Sequence, residues 1–73
     1  MILMMTRTVA AKQFQLLSIA HTCGVDCFEP QESTPYDSHV IVKVEGGFEN
    51  NKNLLKELQF RFGNSVWEVQ DDT

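Results

Sequence analysis

The chain has 73 residues, a formal net charge of −4, and is 42% hydrophobic and 22% charged. That length allows a single domain, and such a domain buries only about 60% of the surface its unfolded form exposes. Four glycines and two prolines argue against low-complexity or wholesale disordered sequence. A marginal core of this kind gains from oligomerisation, a disulfide or a metal.

Charge is unevenly spread. Residues 1–25 hold Arg7 and Lys12 and no acid, whereas residues 26–37 hold Asp26, Glu29, Glu32 and Asp37 and no base. An acidic chain repels phosphate backbones, so direct nucleic-acid binding is not expected. The acidic stretch has two readings: an ordinary solvated surface, or a patch that meets a basic partner.

Residues 1–5 (Met-Ile-Leu-Met-Met) read as a short strand, apolar on both faces. The segment is too short for a signal peptide and lacks a basic region and a cleavage site. No run approaches the ~20 apolar residues of a membrane span, so a cytoplasmic protein is expected. Met4 and Met5 are alternative starts, which would make part of this strand dispensable.

Residues 9–22 read as a helix, capped by Thr8 and stopped at Gly24. At 100° per residue, Ala10, Phe14, Leu17 and His21 fall on one side, and Leu16, Ile19 and Cys23 well round from them. The arc is wider than one core-facing stripe, which predicts a helix buried on two faces. Residues 25–29 read as a short edge strand, a position that tolerates the following Pro30. Residues 31–38 are rich in turn formers.

His39–Glu45 alternates strictly, with Val40, Val42 and Val44 on one face and His39, Ile41, Lys43 and Glu45 on the other. This is the period-2 pattern of a half-buried strand. Gly46-Gly47 ends it. Asn50 or Asn51 is the expected cap of a second helix running to Phe62, with Gly63 as its stop. Leu54, Leu55, Leu58 and Phe62 form its apolar stripe. Residues 65–70 complete the pattern as a strand, with Trp67 and Val69 on one face and Val66, Glu68 and Gln70 on the other. Residues 71–73 read as a frayed acidic tail.

The order strand, helix, strand, strand, helix, strand predicts an α+β two-layer sandwich of the split βαβ, ferredoxin-like type over residues 1–73. Its four-stranded antiparallel sheet would run 4-1-3-2, with both helices on one face. The alternative omits the first strand and leaves α-β-β-α-β around a three-stranded sheet.

Chemistry-bearing residues are sparse. His21, Cys23 and Cys27 supply zinc-ligand types, and His39 could be a fourth, but the spacing is not the paired-cluster pattern. The competing reading is two small apolar cysteines, expected reduced in a cytosolic chain, and a histidine that complements a helix C-terminus. As a redox pair, the cysteines lack the C-x2-C geometry at a helix start. Nucleophile, base and orienting group do not assemble into a recognisable catalytic motif. Gly46-Gly47 lacks the lysine of a phosphate loop, and the strands lack the aromatics of an RNA-binding sheet.

The residues expected to meet a partner are therefore Ile41 and Val66 on an open sheet face, Phe60 on the polar side of the second helix, and the acids Asp26, Glu29, Glu32 and Asp37. Ile41 and Val66, joined by part of residues 1–5, would form an apolar patch that monomers rarely expose. The expectation is a non-catalytic protein–protein interaction module without a cofactor: an adaptor, regulatory subunit or inhibitor, homodimeric through the sheet. A phage- or mobile-element-encoded inhibitor that blocks a basic nucleic-acid site of a host defence complex is an alternative. A metal or redox module on His21, Cys23 and Cys27 is another, and a small-ligand regulatory domain a third.

Overall fold

The computed structural model describes residues 1–32 and 37–69. The expected acidic tail, residues 71–73, lies outside them. In chain order the elements are β1 (Ile2–Thr6), α1 (Arg7–Ala10), α2 (Gln13–Cys23), β2 (Cys27–Pro30), β3 (His39–Glu45), α3 (Phe48–Phe62), a 3-10 turn (Gly63–Ser65) and β4 (Val66–Val69). The four strands form one antiparallel sheet in the order β2-β3-β1-β4. This is an α+β domain, and the three-stranded alternative is overturned. β1 is a central strand, paired on one side with β3 and on the other with β4.

The alternation in β3 separates the two faces of the sheet. Val40, Val42 and Val44 are buried, and His39, Ile41, Lys43 and Glu45 are exposed. Register carries that division into the neighbours, because residues opposite each other share a face. Leu3 pairs with Val42 and Met5 with Val40, and Met5 also pairs with Val66. All five are buried, and they join Val9, Leu16, Ile19, Ala20, Leu54 and Leu58 in one core. Leu3 is fully buried, so the first residues of β1 are not dispensable to the packing. Both long helices sit on this face.

The predicted first helix is two helices. Thr6, not Thr8, is the cap: its Oγ1 accepts from the Val9 N–H (3.4 Å). The chain tightens where Lys12 N–H donates to Val9 O (2.9 Å), and α2 starts beyond it. The turn re-aims α2, so only Leu16, Ile19 and Ala20 are buried. Its predicted second buried face lies in the open, with Phe14 90% and Leu17 38% exposed. No third layer exists among the described residues to cover it. α2 stops at Gly24, whose φ of +81° is a left-handed value that favours glycine.

α3 starts earlier than its asparagines suggest, after Gly47. Asn50 and Asn51 tie the first turn outward instead. Asn50 Nδ2 donates to Gly24 O (3.1 Å) at the end of α2, and Asn51 Nδ2 to Gly46 O (3.4 Å) at the end of β3. Leu54 and Leu58 are fully buried, and Leu55 and Phe62 pack at the margin. β2 begins two residues later than expected and includes Pro30. As the sheet's edge strand it tolerates a residue without an N–H.

A candidate interaction surface

The face of the sheet turned away from the helices is the candidate site. β1 contributes Ile2, Met4 and Thr6, all half-buried. Met4 lies between Ile41 of β3 and Trp67 of β4, and Ile2 lies between Lys43 and Val69. Ile2, Met4, Ile41, Trp67 and Val69 therefore form one apolar strip across three strands. Ile41 is 43% exposed. The Trp67 ring meets the His39 ring edge-on, with centroids 5.3 Å apart and planes at 72°. Ser38 Oγ and His39 Nδ1 are 2.8 Å apart.

A hollow of about 390 Å³ opens beside the strip, lined by Met4, Ile41, His39, Glu32 and Asp37 among others. Glu29 sits opposite Lys43 in the register, and Glu45 opposite Cys27. Glu29, Glu32 and Glu45 are all exposed, so the strip carries a carboxylate border on its β2 side. Asp37 belongs to the same border beside Arg7, whose Nε donates to its carbonyl oxygen (2.6 Å). Asp26 precedes β2 and Glu32 follows it, which puts them at opposite ends of that strand. Asp26 lines a separate cleft with His21 and Cys27. The acidic stretch of the sequence is thus not one patch.

Val66 requires a correction. It is 1% exposed and belongs to the core, so it takes no part in the open face. Its place is taken by Trp67 and Val69, which the sequence pattern assigned to the helix side. The misleading residue is Glu68. It shares a side of β4 with Val66, and a charged residue on that side is compatible with a solvent-facing one. The structure pairs Glu68 with Leu3 on the helix side, but on an edge strand, where its carboxylate reaches solvent beside Lys52. Tryptophan's habit of staying partly exposed is the sequence signal that favours the observed assignment.

Phe60 is 88% exposed on α3, as its helical position predicts. It lies on the opposite side of the molecule from Ile41, so the structure does not bring these two expected contacts together. Phe14 (90% exposed) and Phe48 (75% exposed) are exposed aromatics that the sequence reading did not single out as contact residues. The Phe48 ring is covered in part by Lys52 Nζ, 5.8 Å from its centroid.

The proposed metal group is divided by the fold. Cys23 lines a groove between α2 and α3, whereas His21 and Cys27 line the cleft next to β2. Among the described residues no group of three or more His, Cys, Asp or Glu side chains is placed to hold a metal ion. Cys23 and Cys27 are both free thiols. Burial pushes the Cys23 thiol above its ordinary pKa, the Glu57 carboxylate adds to the shift, and Arg61 opposes it. A thiol held protonated in this way is a poor nucleophile and a poor metal ligand. No described helix is long and apolar enough to cross a membrane. The chain matches no protein-family model, no curated protein and no solved structure.

Proposed function

We propose that this chain is a non-catalytic protein-interaction module, working in the cytoplasm through the open face of its sheet. Its α+β topology is read here as the split βαβ, ferredoxin-like one, supported by the strand order and by helices on one face only. The observation that carries the proposal is the uncovered apolar strip of Ile2, Met4, Ile41, Trp67 and Val69. Small monomers rarely leave such a surface to water, and tryptophan and methionine are enriched where proteins meet. The apolar strip supplies affinity, and the carboxylate border supplies selectivity and steering.

A second copy of the chain is the simplest occupant, which makes the module homo-oligomeric. Sedimentation equilibrium of the wild type and of Ile41→Lys tests this. The wild type is expected to associate, and the variant to be monomeric with an unchanged circular dichroism spectrum and melting temperature. A monomeric wild type at millimolar concentration would refute it. The carboxylate border also favours a second reading, in which the same face covers a basic, nucleic-acid-binding surface of another protein and so inhibits it.

A further inference from the structure

His39 and Trp67 stand on strands that are not neighbours. β1 lies between β3 and β4. Adjacent strands are about 4.8 Å apart, which puts β3 and β4 nearly 10 Å from each other. Ring centroids only 5.3 Å apart therefore require both side chains to lean inward over the central strand. Register says what lies beneath them: Thr6 is opposite His39, and Met4 is opposite Trp67. The imidazole thus stands over the central strand, at one end of the apolar strip. Ser38 Oγ, 2.8 Å from Nδ1, holds the ring from its own strand's side. A serine hydroxyl donates to a neutral ring nitrogen and accepts from a protonated one. That contact survives a change of charge on the ring.

Imidazole is the side chain whose charge changes near neutral pH. A neutral ring extends the apolar strip, and a protonated ring sets a full charge on it. In the free domain water solvates that charge, because His39 is exposed. Glu32 and Asp37 favour it from the hollow they share with the ring. Arg7 opposes it from just beyond β1, where its N–H donates to Ser38 O (3.0 Å). Lys43, four residues along β3 on the same face, opposes it from farther off. β1 and β4 set only Thr6, Met4 and Trp67 against the ring. Among the described residues the ring takes part in no ion pair. Covering the face removes the water, and a desolvated charge without a paired counter-ion is costly. A basic partner surface adds like-charge repulsion. An apolar partner and a basic one both favour the neutral ring.

We infer that His39 makes the open face proton-gated: the face binds while the ring is neutral and lets go when the ring takes up a proton. The inference rests on the proposal that the sheet face is the working surface. It holds for either partner named for that face. The gate is a change of charge at a fixed position, not a movement of the fold, since the Ser38 contact serves both states.

The test compares the wild type with two variants. His39→Phe keeps a ring over β1 that takes up no proton, and His39→Gln removes the ring as well. Circular dichroism checks the fold of each at about pH 7.5 and about pH 5.5, which bracket imidazole titration. Trp67 is the only tryptophan in the chain, so its fluorescence reads the neighbouring ring directly. The expected result is an emission change between the two pH values in the wild type and in monomeric Ile41→Lys, absent from both His39 variants. Sedimentation equilibrium from about 10 μM to about 1 mM then follows association, a range suited to a small interface. The wild type should associate about tenfold more weakly at the lower pH, and the two His39 variants equally at both. Wild-type association that is the same at the two pH values would overturn the gate and leave the sheet-face proposal standing. So would a His39→Phe variant that weakens as much as the wild type, or one that keeps the emission change. A wild type monomeric at both pH values would overturn the gate and the sheet-face dimer together.

Discussion

Replacing Val66 by alanine tests the sheet register and hence the identity of the open face. Val66 is 1% exposed and packs opposite Met5, which is fully buried. The change removes two buried methyl groups, about 1.6 kcal/mol at about 0.8 kcal/mol each. The void left behind raises the loss to roughly 2–3 kcal/mol. At about 0.05–0.15 kcal/mol per residue, a chain of 73 residues has only about 4–11 kcal/mol of stability in all. The variant should therefore melt roughly 10–20 °C lower, since each kcal/mol shifts a domain of this size by about 4–8 °C. Ile41→Ala is the control. Ile41 is 43% exposed on the other face, and its truncation should cost less than about 1 kcal/mol. Guanidinium unfolding of both variants, compared at constant m-value, measures the two losses. If Val66→Ala costs no more than Ile41→Ala, β4 is shifted by one residue and every side chain on it faces the other way. The strip built on Trp67 and Val69 would then not exist.

Two further predictions concern the helical layer. Gly24 holds φ at +81°, and a Cβ there would come within 3.1 Å of Asn50 Nδ2, which itself donates to the Gly24 carbonyl. Gly24→Ala should cost about 1–2 kcal/mol, and a loss near zero in the same unfolding assay would mean that α2 ends elsewhere. The raised pKa of Cys23 has a definite sign in the pH dependence of stability. The folded state keeps the thiol proton at a pH where the unfolded chain has released it. The stabilisation is therefore complete below the ordinary thiol value of about 8.5 and is lost as pH rises through the folded value. Unfolding midpoints measured at neutral pH and in the alkaline range should converge in Cys23→Ser relative to the wild type. An identical decline in the two proteins would sink this account.

The elements that were legible in the sequence are those whose signal is local and repeated. Strict alternation in β3 identified its buried face residue by residue, and the Leu54/Leu58 spacing did the same for α3. Gly24 and Gly63 marked helix ends because both take positive φ. The break between α1 and α2 left no such mark. It contains neither glycine nor proline, and the hydrogen bond that caps α1 comes from Thr6, two positions before the threonine that pattern alone favours. The side on which β4 presents Trp67 was illegible for a different reason. A strand of four residues has two sides by alternation, and only its register against β1 says which is inside. The acids between residues 26 and 37 are close in sequence, but β2 carries them to separate places. No composition argument contains that information.

The central position of β1 has a consequence for how the domain comes into being. Its partners lie far along the chain: Met5 meets Val40 on one side and Val66 on the other. Pairings over such separations must close long loops before any contact rewards them, and they slow folding. During synthesis the apolar run Ile2-Leu3-Met4-Met5 is made before either of its partner strands, and its second flank stays unpaired until β4 has emerged. For that interval it is an unprotected strand edge of the kind that chaperones hold and aggregates recruit. The residues that later form the middle of the sheet are thus the most vulnerable part of the nascent chain.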